Sequence, residues 1–424
     1  MKSWRYYWER RKVVARGLKN WLRAAACEPW RPGVARGEPA IVFVALSARA
    51  RPFNHADSLR RRHGIKTVLL TKLLDYEFQR QAFDEIRLFR GADDLRRQVE
   101  RLGRRLRILA VISTNQPSWQ TRALIDEPRG WPVIFDPYDS LWMLRACARS
   151  SDSARREIAR LYSPGEEESE EECFRRADGV LLRVPYLDVL LRERGIGTPR
   201  MLFEDACNPR FHQPIRPRRG PKRGEWSVVY PGIFYPSTAD PGTTADAQMA
   251  PLGRLFAEER IHLHLYPSPH HEYLYPDYRA EARRNPYFHL HPAVGFSRVH
   301  QVVARHDFGW YANDFSKTVF YSPESSRSCL SNKFYTYFEA GIPVLATRVS
   351  EYGVRLVEET GGGIAVEPGA PRGLGKLLDA ADLGALLRGV ERARERFDIH
   401  AKTDAFLPFL EGLSTGGLGG KAVC

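Results

Sequence analysis

Short apolar runs alternate with amphipathic stretches over the first half of the chain. Five such runs are bounded by charged or turn-forming residues, and they lie at residues 41–46, 67–70, 108–112, 133–135 and 180–182. Continuous apolar runs of this length, separated by helical stretches, are typical of parallel strands that are buried on both faces of a sheet. The pattern therefore predicts a parallel α/β sheet in which ligands bind at the carboxyl ends of the strands.

A second pattern, near the C-terminal end, predicts a helix followed by a tight turn and a buried strand. Phe334, Tyr337 and Phe338 fall on one helical face. Gly341 suits the end of that helix, and the apolar residues 344–346 suit a short strand. An ordinary packing turn between a helix and a strand is the alternative interpretation of this segment.

The start of the same predicted helix carries Ser331, Asn332 and Lys333. The unpaired N–H groups and the positive end of the helix dipole favour an anion at such a position, and a lysine adds a mobile positive charge. These residue types therefore predict a phosphate site.

The segment 332–347 resembles the donor-site motif of GT-B glycosyltransferases, in which Asn-Lys precedes a Tyr, a Gly, Pro-Val and an Ala at fixed spacings. A weaker resemblance extends over roughly residues 39 to 400. It implies two Rossmann-like, doubly wound parallel-sheet domains that face a cleft. It also implies that the motif faces the diphosphate and ribose of a nucleotide sugar, with donor contacts from Gly232, Ser331, Asn332, Lys333, Tyr335 and Thr336.

One departure from the family concerns ribose recognition. Many retaining members carry two glutamates with seven residues between them, and here those positions are Ser328 and Thr336. Thr336 can hydrogen-bond a hydroxyl only without charge assistance. This departure, together with the absence of glycines near Asn54, keeps open a catalytically inactive GT-B-like binding or assembly protein at a membrane.

Candidate acceptor-side residues follow the predicted strands of the first domain. After the fourth strand, Asp139 is our first candidate for the base and Asp136 the second, because an aspartate at a strand end can accept a proton from an acceptor hydroxyl. Capping of the following helix is the alternative role for either one. After the first strand, Asn54 and His55 are predicted in a loop, and Asn115 follows the third strand.

Length and charge divide the chain into segments. A chain of 424 residues is long for one core. Residues 1–26 hold eight basic residues against one acid, and residues 209–223 hold six basic residues without an acid, so the remainder is nearly neutral although the net charge is +14. A neutral body argues against a nucleic-acid-binding protein. We expect five segments: a basic amphipathic helix and linker at 1–38, an acceptor-side domain at 39–208, a Pro/Arg-rich linker at 209–225, a donor domain at 226–395, and a returning helix with a disordered tail at 396–424.

The first basic segment has helical order. Within residues 1–26, aromatic and aliphatic side chains gather on one side of the predicted helix and basic ones on another. This arrangement is typical of a helix that lies in a membrane interface, although docking on the protein's own surface is the alternative. No run of about 18 apolar residues and no signal peptide is evident. We therefore expect a cytoplasmic protein, peripheral on the inner face of the membrane.

Two further clusters predict little chemistry. His262 and His264 share one predicted strand face without an acidic or cysteine ligand nearby, and the six cysteines show no metal-ligand spacing, so we expect no metal site. The acidic run at 166–172 is predicted to be a solvated helix face.

The sequence as a whole thus predicts a metal-independent, hexosyltransferase-like enzyme without a bound cofactor. It would transfer a sugar from a nucleotide-diphosphate sugar to a lipid-linked or cell-envelope glycan, in polysaccharide biosynthesis. Lys333 and Asp139 are its predicted catalytic residues.

Overall fold

The protein folds around two parallel β-sheets. The structure is a computed structural model, and it describes residues 33–47, 50–73, 79–115, 118–126, 129–138, 140–143, 165–216, 225–234, 249–269, 276–314, 326–327, 330–368 and 372–416. One sheet has seven strands in the order β3-β2-β1-β4-β5-β6-β7, and the other has six in the order β10-β9-β8-β11-β12-β13. The predicted fold class, with two doubly wound domains, is confirmed.

The first sheet is buried on both faces, as its apolar runs predict. Its strands β1 to β7 are Pro39–Ser47, Lys66–Leu73, Glu85–Leu88, Arg107–Asn115, Val133–Pro137, Gly179–Leu182 and Arg200–Leu202. Along β1, Val42 and Val44 face one core while Ile41 and Phe43 face the other. The helices α1 to α5 of this part are Ala50–His63, Ala92–Gly103, Trp119–Ile125, Glu166–Arg176 and Pro185–Glu193.

The second sheet lies in the following half of the chain. Its strands β8 to β13 are Trp226–Gly232, Ile261–Pro267, Phe288–Leu290, Phe308–Tyr311, Val344–Thr347 and Gly363–Val366. The helices α6 to α12 around it are Met249–Glu258, Pro276–Arg284, Phe296–Val303, Lys333–Ala340, Glu351–Thr360, Leu374–Asp379 and Leu383–Arg396. A single turn of 3-10 helix, Pro209–Phe211, lies on the way from one sheet to the other.

The last helix, α13 (Ile399–Gly416), packs against the first sheet and not the second. Its Phe406 and Leu410 join the core that contains Ile41 and Phe43. The two chain crossings between the sheets run side by side, because Cys207 forms a parallel β-bridge with Asp398. No helix in the described part of the chain is long and apolar enough to cross a membrane.

Two sequence predictions need correction, and a third lies outside the described residues. Residues 50–63 form a helix, where we predicted a loop around Asn54 and His55. The acidic run is not a purely solvated face, because Glu166 and Glu170 are buried. The predicted amphipathic helix at 1–26 falls among residues that the structure does not describe.

Candidate functional site

The helix α9, Lys333–Ala340, is held close to the second sheet by an aromatic contact. The Tyr337 ring occupies the space where Gly309 of β11 would carry a side chain, since a Cβ there would lie 2.2 Å from the ring. The Tyr337 hydroxyl donates to the Trp310 carbonyl oxygen at 2.8 Å. Gly341 ends the helix in the left-handed conformation, with φ of 79°. The predicted helix, turn and strand are therefore present, and they fix the start of α9 at the carboxyl end of the sheet.

Three predicted donor residues meet at the start of α9. Gly232, the last residue of β8, has a φ of +124°, and a Cβ on it would lie 2.8 Å from Cε of Lys333. The Lys333 ammonium lies 3.3 Å from Oγ of Ser331 and 5.0 Å from the centre of the Tyr230 ring. Because Gly232 has no side chain, the Lys333 side chain can pack directly against the end of β8. We call this positively charged place, formed by Gly232, Ser331 and Lys333, the corner.

The other predicted donor residues of α9 differ in how they are engaged. The Asn332 side chain donates to the Tyr138 hydroxyl of the first domain at 2.6 Å. The Thr336 hydroxyl donates to the Asn332 carbonyl oxygen at 3.1 Å. Tyr335 is only 4% exposed, and burial raises the pKa of its hydroxyl well above the usual value. Asn332 and Thr336 thus lie at the cleft surface, whereas the Tyr335 ring packs against Phe397.

Asp136, our second candidate for the base, is engaged in a buried ion pair. Its Oδ1 accepts from Nε and Nη2 of Arg51 at 2.9 and 2.7 Å, and its Oδ2 accepts from the Thr114 hydroxyl at 2.9 Å. Two of these bonds come from a guanidinium, so charge-assisted hydrogen bonds hold the carboxylate in place. These contacts give Asp136 a structural role, and its predicted role as the base stays a prediction.

The same ion pair extends towards the second domain. Arg51 also donates to Asp205 at 3.2 Å, and Arg183 donates to the other oxygen of Asp205 at 2.8 Å. Burial opposes ionisation of Asp205, but the charges of Arg183 and Arg51 hold its pKa below the usual value. Arg183 in turn donates to the Leu330 carbonyl oxygen at 2.6 Å, just ahead of the donor motif.

The predicted acceptor role of His55 is not supported by its position. Its ring lies 4.5 Å from the Phe203 ring and 4.7 Å from the Phe406 ring, and the side chain is 2% exposed. Burial, and after it the charge of Arg51, lowers the pKa of His55 to about 3. The residue is thus a neutral member of the core.

Asn54 lines the cleft and holds the crossing between the domains. Its amide donates to the Ala206 carbonyl oxygen at 3.3 Å, and its Oδ1 accepts from the Asn208 side chain at 3.2 Å. Asp139 and the side chain of Asn115 lie outside the described residues, so their predicted roles stay predictions.

Sequence reasoning missed the acidic residues that line the base of the cleft. A cavity there is lined from both domains, by Arg51, Asn54, Glu204, Asp205, Asn332 and Thr336 among others. Glu204 accepts from Lys402 at 2.9 Å and from the Tyr352 hydroxyl of α10. The only signal for these residues in the sequence is that Glu204-Asp205 directly follows the short apolar run 201–203.

The histidines of the second domain form a stack along β9 and β10. Nδ1 of His264 lies 2.9 Å from Nε2 of His291, and Nδ1 of His262 lies 2.9 Å from Nε2 of His289. Contrary to our expectation, an acid is close, because Glu225 lies 3.3 Å from His262. In the described residues, no group of three or more His, Cys, Asp or Glu side chains is arranged to hold a metal ion.

Comparison with known proteins was informative only for the structure. No protein-family model matches the sequence, and no curated protein is significantly similar to it. Sucrose-phosphate synthase from Thermosynechococcus elongatus is similar with a TM-score of 0.60 at 12% identity, over 89% of this chain and 100% of the other.

Two further solved structures are similar over nearly the whole of both chains. A glycosyltransferase from Rickettsia africae has a TM-score of 0.55 at 10% identity, with coverage of 89% of this chain and 98% of its own. A trehalose 6-phosphate synthase from Burkholderia multivorans has a TM-score of 0.53 at 10% identity, with 92% and 99% covered. Together with the two facing parallel sheets, these likenesses show that the chain has the GT-B fold.

Proposed function

We propose that the protein is a glycosyltransferase that moves a sugar from a nucleotide-diphosphate sugar to an acceptor in the interdomain cleft. One observation carries the proposal: the missing side chain of Gly232 leaves room for the Lys333 ammonium at the start of α9. This corner combines a positive side chain with the positive end of a helix dipole, which suits a diphosphate. The similar solved structures named as synthases or glycosyltransferases support the same class.

The proposed chemistry rests on charge at the leaving group. As the bond from the sugar carbon to the phosphate oxygen breaks, its electron pair stays on the diphosphate, and negative charge develops there. Lys333, the start of α9 and the loop at Gly232 stabilise that charge and act without a metal ion. Asp139 takes the proton from the acceptor hydroxyl as the new glycosidic bond forms.

The acceptor is proposed from charge in the sequence. Residues 1–26 combine aromatic and basic side chains, which suits a position on an anionic membrane surface. We therefore propose that the acceptor is a lipid-linked or cell-envelope glycan and that the protein acts at the cytoplasmic face of the membrane. We also propose that the transferred sugar is a hexose and that the reaction belongs to polysaccharide biosynthesis.

A catalytically inactive binding or assembly protein of the same fold is the second candidate. The observation that favours it is Thr336, which replaces a family glutamate and whose hydroxyl is bonded to the Asn332 carbonyl oxygen. Such a protein would bind a nucleotide without releasing it from a sugar.

The first experiment is a thermal-shift screen with UDP, GDP, CDP and ADP and their sugars, on the wild type and on Lys333→Ala. We expect one nucleotide to raise the melting temperature, because a ligand at 100 times its Kd stabilises the folded protein by about 2.7 kcal/mol. Lys333→Ala should abolish this rise, because it removes the positive charge that binds the diphosphate. Lys376→Ala is the control, since Lys376 is an exposed lysine of the same domain. A rise that persists in Lys333→Ala would remove Lys333 from the site.

Turnover then separates the two candidate functions. The rate at which the nucleoside diphosphate is released should fall at least about tenfold in Lys333→Ala, because the variant lacks one group that stabilises the developing charge. The substrate is the nucleotide sugar that raises the melting temperature of the wild type. Asp139→Asn should keep the thermal shift and lose turnover. Nucleotide binding without any release in the wild type would favour the inactive protein.

A further inference from the structure

The helix α4 carries a buried carboxylate, Glu170, that the proposed chemistry does not use. Its oxygens accept from three donors that are consecutive in the chain: the Ser140 hydroxyl at 3.1 Å, the Leu141 N–H at 3.0 Å and the Trp142 N–H at 3.2 Å. Glu170 is 4% exposed. One carboxylate thus fixes the backbone of the segment that follows strand β5.

Tyr138, which precedes that segment, contacts the second domain. Tyr138, two residues before Ser140, accepts a hydrogen bond on its hydroxyl from the Asn332 side chain at 2.6 Å. The Tyr138 carbonyl oxygen accepts from Arg183 at 3.0 Å, and the Arg183 guanidinium lies 4.3 Å from the centre of the Tyr138 ring. Asn332 directly precedes Lys333, so Tyr138, two residues before the first donor to Glu170, contacts the start of α9.

We propose that Glu170 is a positioning residue for the donor site, which acts through residues 140–142 to hold Tyr138 against Asn332 beside Lys333. The inference rests on the proposed function, because it takes the start of α9 as the nucleotide-sugar site. It adds a connection from an acidic helix of the first domain to the donor-binding residues of the second.

The chemistry of the contact explains why a carboxylate stands at this position. Three donors converge on two oxygens, and only a carboxylate offers enough lone pairs without a donor of its own. Burial raises the pKa of Glu170 to about 7, although all three hydrogen bonds favour the charged form. A buried acid at this energetic cost is expected only where its contacts hold something in place.

The test compares hydrogen exchange in the full-length variants Glu170→Gln, Tyr138→Phe and the double variant. Glutamine keeps the shape of the side chain but has one acceptor oxygen. We expect exchange at residues 140–143 to be at least about threefold faster in Glu170→Gln, the effect of losing one net hydrogen bond. We also expect faster exchange at residues 331–336 in both single variants, and no further increase in the double variant, because the two residues act in series.

Matched controls make the outcome decisive. Glu168→Gln changes an exposed acid of the same helix and should leave both segments unchanged. Ser140→Ala removes one of the three donors and serves if Glu170→Gln does not fold. The proposal would be overturned if the exchange rate at residues 331–336 were unchanged in Glu170→Gln. It would also be overturned if the rate increases of the two single variants multiplied in the double variant.

A nucleotide arm separates this proposal from the proposed function. With the nucleotide that stabilises the wild type, Glu170→Gln and Tyr138→Phe should each weaken binding at least about threefold while Glu168→Gln does not. If no nucleotide binds the wild type, the proposed function fails, and the exchange at 331–336 still decides whether Glu170 acts across the cleft.

Discussion

Single residues decide the shape of the candidate donor site. Gly232 has a backbone conformation that other residues rarely adopt, and its absent Cβ is replaced by the Lys333 side chain. The contact of Gly232 with Lys333 could be predicted only from the resemblance to a known family, since the two residues are far apart in the chain. The ion pair of Arg51 with Asp136 was not predictable, because nothing local marks which aspartate meets an arginine 85 positions away.

Gly232→Ala tests the contact with Lys333. The added methyl group must displace the lysine and adopt a positive φ, so we expect a destabilisation of about 1–3 kcal/mol together with loss of the nucleotide-induced thermal shift. Gly64→Ala is the matched control, since Gly64 also has a positive φ, +65°, with no atom within 4 Å of the added group. It should destabilise without affecting the nucleotide shift. If Gly232→Ala binds nucleotide as the wild type does, the assigned geometry is contradicted.

At the scale of elements, the predictions succeeded where both faces of an element are apolar and failed where polar residues are buried. The helix α1 begins with Ala50-Arg51-Pro52, which looks like a loop. Proline is tolerated there because the first turn of a helix has no acceptor for its N–H. In α4, Glu166 and Glu170 are one turn apart and serve as acceptors for two loops, which composition alone does not reveal.

The histidine stack gives the second domain a pH dependence. Burial, and after it the charge of the neighbouring histidines, lowers the pKa of His264 to about 2, and burial also lowers the pKa of His291. Below pH 6.5 these histidines therefore bind more protons in the unfolded chain than in the folded one, so stability falls as the pH falls.

We expect the melting temperature to drop between pH 6.5 and 5.5, with a loss of about 1 kcal/mol from His264, whose pKa in the folded state lies far below this window. His264→Gln removes one titrating group and should show a shallower drop. The wild type between pH 8 and 9 is the internal control, because an unfolded histidine with a pKa of about 6.5 binds almost no protons there. A variant with the slope of the wild type would show that His264 does not contribute.

At the scale of the whole molecule, the two domains are joined by buried polar contacts as well as by two chain crossings. Glu204 lies at the base of the cleft and accepts from Tyr352 of the second domain and from Lys402 of α13. The first sheet was predictable from the apolar runs, whereas the second domain was expected from the chain length and the family resemblance. Contacts such as Tyr138 with Asn332 were not, because they join residues 194 positions apart that no local pattern relates.

Glu204→Ala should destabilise the whole chain. The change leaves the Lys402 ammonium, which is 11% exposed, without its carboxylate, and removing one partner of a buried ion pair typically costs about 3–5 kcal/mol. Urea denaturation followed by tryptophan fluorescence measures this loss. Glu395→Ala, which removes an exposed acid a few residues before Lys402, should leave the midpoint unchanged. A midpoint for Glu204→Ala equal to that of the wild type would mean that the contact adds nothing to stability.

The return of α13 to the first sheet has a consequence for synthesis of the chain. Leu413 and Phe409 cover Gly179 of β6, and Phe406 covers the face of β1 that carries Phe43. Ribosomes add about 5–20 residues per second, so on the order of ten seconds or more separate the completion of β7 from the emergence of Ile399. During that interval the core around Phe43 lacks Phe406 and Leu410 and holds only earlier residues such as Phe53 and Phe83, so the domain that begins first is the one that is completed last.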